Sequence, residues 1–375
     1  MRVICEKEEL MKGMKIISTA VPLKNTISIL SNFMFTAEED RIKLCSTDLE
    51  ITLQYYIKGK ILKKGSVTIP AKKFACIVKE LTFKNEIQIE TNDENYQIDI
   101  SSGKSKFSII GLSCEGYPII PEFPKEANFC IEKEIFASML KRTIFATSKD
   151  SQRYVLNGIY FIIEDNEFKM ISTDGRRLAY IKFDKLITIP TKQVAIVPAK
   201  AINEMLKLFT LDVLSKVIKI NITANKIAVK IGEVVLTSTL IEGIFPDYEQ
   251  VIPKTYKFIV KLDVKNTLMA VKQMAILTNE KFLTTTSSAV EFYFTTDILK
   301  ISASTSGIGF GEVKIAIDYK NEPIKISFNP NFIKDVLQNI NEDFTLFKFS
   351  DFLNPVVITP EIYTNYVCVV MPLRI

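Results

Sequence analysis

The chain has 375 residues, of which 47% are hydrophobic and 24% charged, and its net charge is +5. That length predicts two or three domains, and the composition is typical of a folded soluble protein. Histidine is absent, which removes the commonest general base and metal ligand and lowers the expectation of an enzyme. The charge allows a nucleic-acid partner without requiring one, because a protein that holds DNA by charge alone needs many more cations.

No targeting or membrane segment is apparent. The first ten residues include Arg2, Lys7 and several glutamates instead of an apolar stretch. No uninterrupted apolar run approaches the roughly 18 residues that a membrane-spanning helix needs. We therefore expect a cytoplasmic protein without a membrane partner.

The cysteines predict neither a metal site nor disulfides. None of them are paired at C-x-x-C spacing, and several lie inside apolar runs, so we expect buried free thiols. No Gly-rich phosphate loop and no metal-ligand cluster is found either. We expect no cofactor and no bound metal.

Helical and alternating patterns follow one another along the first third of the chain. Residues 5–19 place Leu10, Met14 and Ile17 at i, i+4 and i+7, which predicts an amphipathic helix. Ile42–Ile57 reads as strand, turn and strand. We then expect a strand that ends at Pro70, a short helix that buries Phe74, Ile77, Val78 and Leu81, and strands at Glu86–Thr91, Tyr96–Ile100 and Lys106–Ile110.

Phe168–Phe183 predicts a β-hairpin with two arginines, Arg176 and Arg177, near its bend. Both halves alternate as strands do. Between them, Asp174 can bond to its own backbone and Gly175 can take a positive φ, which is turn chemistry.

The sequence contains three copies of one pattern. I-K-L-C-S-T-D at Ile42–Asp48 returns 126 residues later as F-K-M-I-S-T-D at Phe168–Asp174, and L-K-I-S-A-S stands at Leu299–Ser304. Landmarks in one order at near-constant spacing predict a repeated domain. The proline before the second helix recurs at Pro70, Pro198 and Pro330.

Each copy is predicted to be an antiparallel α+β domain. The first helices of the later copies are expected at Ile131–Ser148 and Lys261–Asn279. Too few helices separate the strands for a parallel sheet. The domains are expected at residues 1–125, 126–252 and 253–375.

Lysines recur on the polar face of the second helix in the first two copies. A solvated helix face explains any one of them, whereas their recurrence favours a shared basic surface, and both interpretations stay open here. They are Lys72, Lys73 and Lys79, then Lys200 and Lys207, with Lys334 alone in the third copy.

Several motifs, spread over all three copies, resemble the bacterial DNA polymerase III β subunit family, the sliding clamps. The motifs occur in the family's order. They are R-Y-V-L-N-G at Arg153–Gly158, S-T-D-G-R-R-L-A at Ser172–Ala179, I-V-P-A-K at Ile196–Lys200, E-G-I-F-P-D-Y at Glu242–Tyr248, L-T-N-E-K at Leu277–Lys281 and the terminal Y-V-C-V-V-M-P-L-R-I.

The resemblance implies the DNA clamp fold. Three clamp domains, each with two helices packed on antiparallel sheets, would form a head-to-tail ring homodimer around double-stranded DNA. Such a ring performs no catalysis and contacts DNA without reading its sequence. It would tether the DNA polymerase III α subunit and other replication and repair proteins that carry short clamp-binding motifs, and an ATP-driven clamp loader would open it.

The resemblance also implies three sets of site residues. The partner-peptide pocket is expected at Leu156, Thr173, Gly175, Arg176, Arg177, Leu178, Pro246, Val251, Val369, Val370, Met371, Pro372, Leu373 and Arg374. The DNA-facing cations are expected at Lys24, Lys72, Lys73, Lys79, Lys149, Arg153 and Lys200. The subunit interface is expected at Lys106, Phe107, Ile109, Ile276 and Leu277.

The chain departs from its relatives at several of these places. Arg176 stands where a histidine or an aromatic residue is frequent, which makes the pocket rim more cationic. Gln250 replaces a basic residue found in some relatives, and Phe332 replaces a frequent tyrosine. Residues 302–311 lack an acidic cluster that helps to pair subunits in some members and leave Glu312, so a more apolar dimer contact is expected.

Two functions of other classes remain as alternatives. An enzyme that uses two carboxylates would need acids converging in a cleft, but Asp48 and Asp174 stand at equivalent turns of separate copies. A three-domain scaffold that binds proteins without encircling DNA would need only the pocket. Because the copies differ at Gly175–Leu178 against Leu49–Thr52, we expect the specialised function at Arg176, Arg177 and Leu178.

Overall fold

The computed structural model describes residues 1–22, 27–81, 85–164, 166–184, 192–211, 215–278 and 289–374. Within them the fold is α+β, and the paired strands of each sheet run antiparallel. None of the helices in this part of the chain is both long and apolar enough to cross a membrane.

The first repeat contains two helices, α1 (Lys7–Ile17) and α2 (Ala71–Glu80), among its described residues. Its strands are β1 (Arg2–Glu6), β2 (Asn32–Ala37), β3 (Ile42–Thr47), β4 (Ile51–Ile57), β5 (Lys60–Lys63), β6 (Gly65–Pro70), β7 (Glu86–Thr91), β8 (Gln97–Ser102) and β9 (Ser105–Ile110).

The second repeat has the same two helices, α3 (Lys133–Ile144) and α4 (Ala199–Phe209). Its strands are β10 (Phe129–Glu132), β11 (Gly158–Glu164), β12 (Glu167–Thr173), β13 (Arg177–Asp184), β14 (Gln193–Pro198), β15 (Val217–Ile222), β16 (Lys226–Ile231) and β17 (Val234–Thr239).

The third repeat has helices α5 (Val264–Thr278) and α6 (Pro330–Gln338). Its strands are β18 (Phe258–Asp263), β19 (Val290–Thr295), β20 (Ile298–Thr305), β21 (Gly309–Ala316), β22 (Ile324–Phe328), β23 (Phe344–Phe349), β24 (Val356–Pro360) and β25 (Tyr366–Val370).

The first helix of every repeat starts later than the sequence predicts, because a short strand comes before it. Residues 2–6, 129–132 and 258–263 are strands β1, β10 and β18. Their buried side chains alternate, as Val3 and Cys5 do, which is the period of a strand and not of a helix. The predicted helices therefore included the last residues of these strands.

Tertiary contacts divide the chain into two compact units. The first comprises Met1–Ala137 and Lys200–Leu240, and the second comprises Ser138–Ala199 and Ile241–Ile375. The first unit holds a five-stranded sheet, β5-β1-β7-β8-β9, and an eight-stranded sheet, β10-β15-β16-β17-β4-β3-β2-β6. The second holds the eight-stranded sheet β14-β11-β12-β13-β25-β24-β23-β18 and the four-stranded sheet β21-β20-β19-β22.

Each eight-stranded sheet is shared by two successive repeats. In the first unit β17 pairs with β4, with Leu236 opposite Leu53. In the second unit β13 pairs with β25, with Leu178 opposite Val369. Neighbouring repeats are therefore joined by main-chain hydrogen bonds and not by a flexible linker alone.

One hydrogen bond recurs at the same position of the pattern in the first two repeats. The hydroxyl of Ser46 donates to the carbonyl of Ile17 at 2.5 Å, and that of Ser172 donates to Thr143 at 2.5 Å. In the third repeat Ala303 stands at that position, and the hydroxyl of Thr305, two residues later, donates to the carbonyl of Leu277 at 2.7 Å. Each bond ties the central hairpin to the end of the first helix.

The cysteines are free thiols, but they are not all buried. Cys5, Cys45 and Cys368 are buried, whereas Cys76 is exposed on α2, and Cys114 and Cys130 are intermediate. The expectation of buried thiols was wrong for Cys76, because it lies on the polar face of α2 between buried Phe74 and Ile77.

Candidate functional site

The turn between β12 and β13 is built by its own side chains. The carboxylate Oδ1 of Asp174 accepts hydrogen bonds from the backbone N–H of Arg176 at 2.9 Å and of Arg177 at 3.0 Å. Thr173 Oγ1 accepts from Gly175 N–H at 3.0 Å, and Gly175 adopts a φ of +83°. The turn chemistry predicted for this segment is confirmed.

The first repeat forms the same turn with a different residue at the left-handed position. Asp48 Oδ1 accepts from the backbone N–H of Glu50 at 3.0 Å and of Ile51 at 2.8 Å. Leu49 takes a φ of +78°, a conformation that costs a side chain with a Cβ about 1–2 kcal/mol. Because Asp48 and Asp174 both serve their turns, neither supports the two-carboxylate enzyme considered above.

Arg177 is held by two carboxylates of the fold. Its Nε donates to Asp174 Oδ2 at 3.0 Å, and its Nη1 donates to Asp335 Oδ2 on α6 at 2.7 Å. The ring of Phe332 stacks on the guanidinium, with 4.5 Å from its centroid to Cζ. The side chain is 12% exposed. Two of the five N–H donors of the Arg177 guanidinium are thus used within the fold, and its role in orienting a bound peptide stays a prediction.

A row of apolar side chains crosses the sheet beside this turn. Leu178 on β13 is opposite Val369 on β25, which is opposite Val357 on β24. These residues form one cluster with Leu156 and Phe245. Leu178, Val369 and Val357 are at most 2% exposed, and Leu156 is 6% exposed. These apolar residues are therefore a buried cluster, and an apolar depression above them stays a prediction.

The loop over residues 241–252 packs against this cluster. Phe245 stacks on Tyr160 with 4.8 Å between ring centroids, and Tyr248 stacks on Tyr180 at 5.9 Å. Pro246 and Val251 of the same loop are exposed. These two predicted pocket residues are therefore accessible, in contrast to Phe245 of the same loop.

The C-terminal segment forms another side of the site. Met371 N–H donates to the carbonyl of Arg176 at 2.9 Å, and Leu373 N–H donates to Ser327 at 2.7 Å. Val369 and Val370 are buried, while residues 371–373 are partly accessible and Arg374 is exposed. Motifs nearly 200 residues apart in sequence thus converge on one place, as the resemblance implied.

The corresponding junction in the first unit has no such row. There Thr52 on β4 faces Thr237 on β17 where the second unit has Leu178 and Val369. Lys200 Nζ binds Asp48 Oδ2 at 2.7 Å and Glu50 Oε2 at 2.6 Å. In the described residues of that junction a polar pair therefore takes the place of Leu178 and Val369.

The predicted DNA-facing cations differ in how free they are. Lys72, Lys73 and Lys79 are exposed on α2, and Lys149 and Arg153 are exposed after α3. Lys200 is instead held by Asp48 and Glu50, as described above, and Lys24 lies outside the described residues.

The residues predicted at a subunit interface are accessible. Phe107 on β9 is 42% exposed and Ile276 on α5 is 73% exposed. Lys106 is exposed, and Ile109 and Leu277 are partly exposed. Ile110 on β9 and Phe310 on β21, which the sequence analysis did not name, are each 62% exposed as well.

Burial changes the protonation chemistry of a few groups at the site. It raises the pKa of the Cys368 thiol and of the Tyr248 phenol to about 12, so both groups stay neutral at physiological pH. It lowers the pKa of Lys348, which lies opposite Val357 at the β23 end of the apolar row. The described residues include no group of three or more metal-ligating side chains placed to hold an ion.

Three repeated α+β domains whose sheets run from one repeat into the next define a DNA clamp. Models of the N-terminal, central and C-terminal domains of the DNA polymerase III beta subunit match residues 1–121, 130–247 and 249–374. The chain belongs to the DNA polymerase III β subunit family, the sliding clamps. The family prediction and the clamp fold are thereby confirmed.

Proteins similar over their whole length support this assignment. A beta sliding clamp of Chlamydia muridarum is 30% identical, with 100% of this chain and 99% of the relative aligned. The solved Bacillus subtilis sliding clamp matches with a TM-score of 0.94 and 25% identity, covering 100% of this chain and 99% of the other. The Pseudomonas aeruginosa β subunit matches with a TM-score of 0.92 and 28% identity, with 100% of both chains covered.

Proposed function

We propose that this protein is a non-catalytic sliding clamp that encircles duplex DNA and tethers the replicative polymerase to it. The observation that carries the proposal is the full-length match of all three repeats to the β-clamp family. The domain limits 1–125, 126–252 and 253–375 belong to this proposal. The scaffold alternative, which does not involve DNA, has no comparable support.

We propose that two copies close the ring head to tail, through β9 of one and β21 of the other. In the described part of the chain, β9 pairs only with β8, and β21 only with β20, so each leaves a free edge. Unpaired edges that carry exposed apolar residues are templates for strand pairing. Glu312 on β21 already lies 3.5 Å from Lys314 and 3.8 Å from Lys300, which favours apolar over ionic contact between subunits.

Contact with DNA is proposed for the exposed cations of α2 and for Lys149. Lysine is a point charge on a flexible stem, and its contacts with phosphate carry no sequence information. Closure of the ring then supplies persistence, which is consistent with a net charge of only +5.

The partner site is proposed at the surface formed by the β12–β13 turn, residues 246–251 and residues 369–374. Its polymerase ligand is expected to be the α subunit of DNA polymerase III, and the clamp loader and other proteins with short motifs would compete for it. The partly accessible Met371 and Leu373 offer anchors of adaptable shape. Burial of two apolar anchors contributes roughly 3–6 kcal/mol before association costs, which is weak enough for exchange.

Retention on topologically different DNA tests the proposed function. The protein is loaded by its cognate loader onto nicked circular DNA, and retention is followed by gel filtration before and after linearisation. We expect retention on the circle and loss after cutting, because a closed ring slides off an end. Equal retention on circular and linear DNA of one length would overturn the proposal. A native mass of two chains is expected alongside.

A further inference from the structure

We propose that the partner site of this chain selects an acidic peptide, whose carboxylates are recognised by Arg153, Arg176 and Arg374 at the Gly175 end of the apolar row. The proposal rests on the proposed function, because it assumes that a peptide docks at this surface. It adds the charge that the peptide carries.

Of the four arginines at the proposed site, one forms ion pairs with carboxylates and three do not. Arg177 forms ion pairs with Asp174 and Asp335. No ion pair of Arg153, Arg176 or Arg374 occurs within the described ranges, and all three side chains are exposed. The positive charge that a ligand meets therefore comes from these three residues and not from the more deeply placed Arg177.

Contacts within the fold bring Arg153 and Arg176 to one end of the site, and Arg374 lies in the C-terminal segment that is bonded to Arg176. A Cβ placed on Gly175 would lie 2.9 Å from Arg153 Nη1, so the guanidinium rests against the turn. The carbonyl of Arg176 accepts from Met371 N–H at 2.9 Å, which joins the turn to the C-terminal segment. Arg374 follows Leu373, whose N–H is bonded to Ser327.

Carboxylates lie toward the opposite end of the same face. Tyr180 is two residues beyond Leu178 on β13, about 7 Å farther along the strand. It stacks on Tyr248, which is flanked by Asp247 and Glu249. Asp247 Oδ2 accepts a hydrogen bond from the neutral amide of Gln250 at 2.8 Å. Lys169 and Lys182 also lie near Tyr180, so charges of both signs occur at this end, whereas the exposed charges at the Gly175 end are positive.

The exposed cations at Gly175 set the expected ligand. A peptide with carboxylates beside its apolar anchors gains attraction when these carboxylates lie at Gly175. Lys348, at the β23 end of the apolar row and near the ring of Tyr256, adds a further positive charge. Each exposed charge pair changes affinity by roughly 1.5- to 5-fold, and salt weakens the effect.

Three fluorescein-labelled peptides of one length test the proposal: Glu-Glu-Leu-Ser-Leu-Phe, Gln-Gln-Leu-Ser-Leu-Phe and Lys-Lys-Leu-Ser-Leu-Phe. Their affinities for the full-length protein are measured by fluorescence anisotropy at low and high salt. We expect the acidic peptide to bind about 3- to 20-fold tighter than the neutral one at low salt, with two to three charge pairs contributing. The basic peptide should bind weakest, and the differences should shrink at high salt.

Charge-reversal variants assign the effect to the named residues. Arg153→Glu with Arg176→Glu should abolish or invert the preference for the acidic peptide and leave the neutral peptide nearly unaffected. Arg41→Glu, at an exposed arginine of the first repeat, is the matched control and should change nothing. A preference for the acidic peptide that persists in the double variant overturns the proposal.

A second substitution separates this proposal from the proposed site itself. Leu373→Asp removes an accessible apolar anchor and should weaken all three peptides alike. The charge proposal is wrong, while the proposed site stands, if binding of the neutral peptide depends on Leu373 and the acidic peptide binds with the same affinity. If no peptide binds, or if Leu373→Asp has no effect, the proposed site is wrong as well.

Discussion

Arg177 Nη1 donates a hydrogen bond to Asp335 Oδ2 at 2.7 Å across 158 residues of sequence. The bond joins a turn of the second repeat to a helix of the third, and the same guanidinium also closes its own turn through Asp174. Arg177, which the S-T-D-G-R-R-L-A motif predicts to be a ligand contact, thus links the second repeat to the third. Of the two arginines in this turn, Arg176 is the exposed one.

Removal of this ion pair should destabilise the protein. Asp335→Asn leaves a largely buried guanidinium with a single carboxylate, and hydrogen bonds to charged groups contribute roughly 1.5–3 kcal/mol. We expect the free energy of unfolding to fall by about 2 kcal/mol, measured with urea. Asp318→Asn is the control, since Asp318 is 89% exposed and 3.8 Å from Lys320. Equal losses of unfolding free energy in both variants would contradict the role of the Arg177–Asp335 ion pair in linking the two repeats.

Substitution at the left-handed turn position should affect stability differently in the two repeats. Gly175→Ala places a Cβ at a φ of +83° and should destabilise by about 1 kcal/mol. Leu49→Gly relieves the same strain at a φ of +78° and, because Leu49 is 54% exposed, sacrifices little apolar burial. Thermal unfolding should show a lower midpoint for Gly175→Ala and no loss for Leu49→Gly. A marked loss in the leucine variant would mean that its side chain is needed for packing.

Lysines predicted to face DNA should contribute unequally. Lys200→Ala removes a charge that Asp48 and Glu50 already neutralise, so we expect little change in DNA affinity. Lys72→Ala with Lys73→Ala removes two free charges and should flatten the dependence of log K on log salt by about 2. Fluorescence titration of duplex DNA at several salt concentrations measures this slope. A change for Lys200→Ala as large as for a free lysine would refute the distinction.

The fold should lose stability in acid because it contains a ladder of ion pairs beside β11, β12 and β13. The ladder consists of Glu164, Glu167, Lys169, Lys182 and Lys192. Hydrogen bonds from Lys192 and Lys169 lower the pKa of Glu164, and bonds from Lys182 and Lys169 lower that of Glu167, each from an ordinary value of 4.5. Carboxylates with a depressed folded pKa stabilise the fold above the unfolded value, and this contribution is lost as the pH falls through the folded one.

Glu164→Gln with Glu167→Gln should therefore lower stability at neutral pH and flatten its decline below about pH 4.5. Urea unfolding at pH 7, 5, 4 and 3 would measure the change. Glu126→Gln, at an exposed glutamate outside the ladder, serves as the control. An acid decline that stays unchanged in the double variant would show that other groups cause it.

Local chemistry explains why much of this fold could be predicted from sequence. The hairpin at residues 168–183 was recognisable because alternation, Asp174 and Gly175 act within a few residues of one another. The repeat was recognisable because the same local pattern occurs three times. The strands before α1, α3 and α5 were missed because four to six alternating residues beside a helical pattern are too few to register as a separate period.

The sequence by itself determined the three-fold repeat, the turn chemistry and the family, since these depend on short-range patterns and their spacing. Only the tertiary structure decided which charges are free. It paired Arg177 with Asp335 and Lys200 with Asp48, and it left Arg153, Arg176 and Arg374 without carboxylate partners. It also placed Leu178 opposite Val369 and covered both with the loop at residues 241–252. Whether a charge or an apolar surface is available depends on what the fold brings beside it, and those neighbours are distant in sequence.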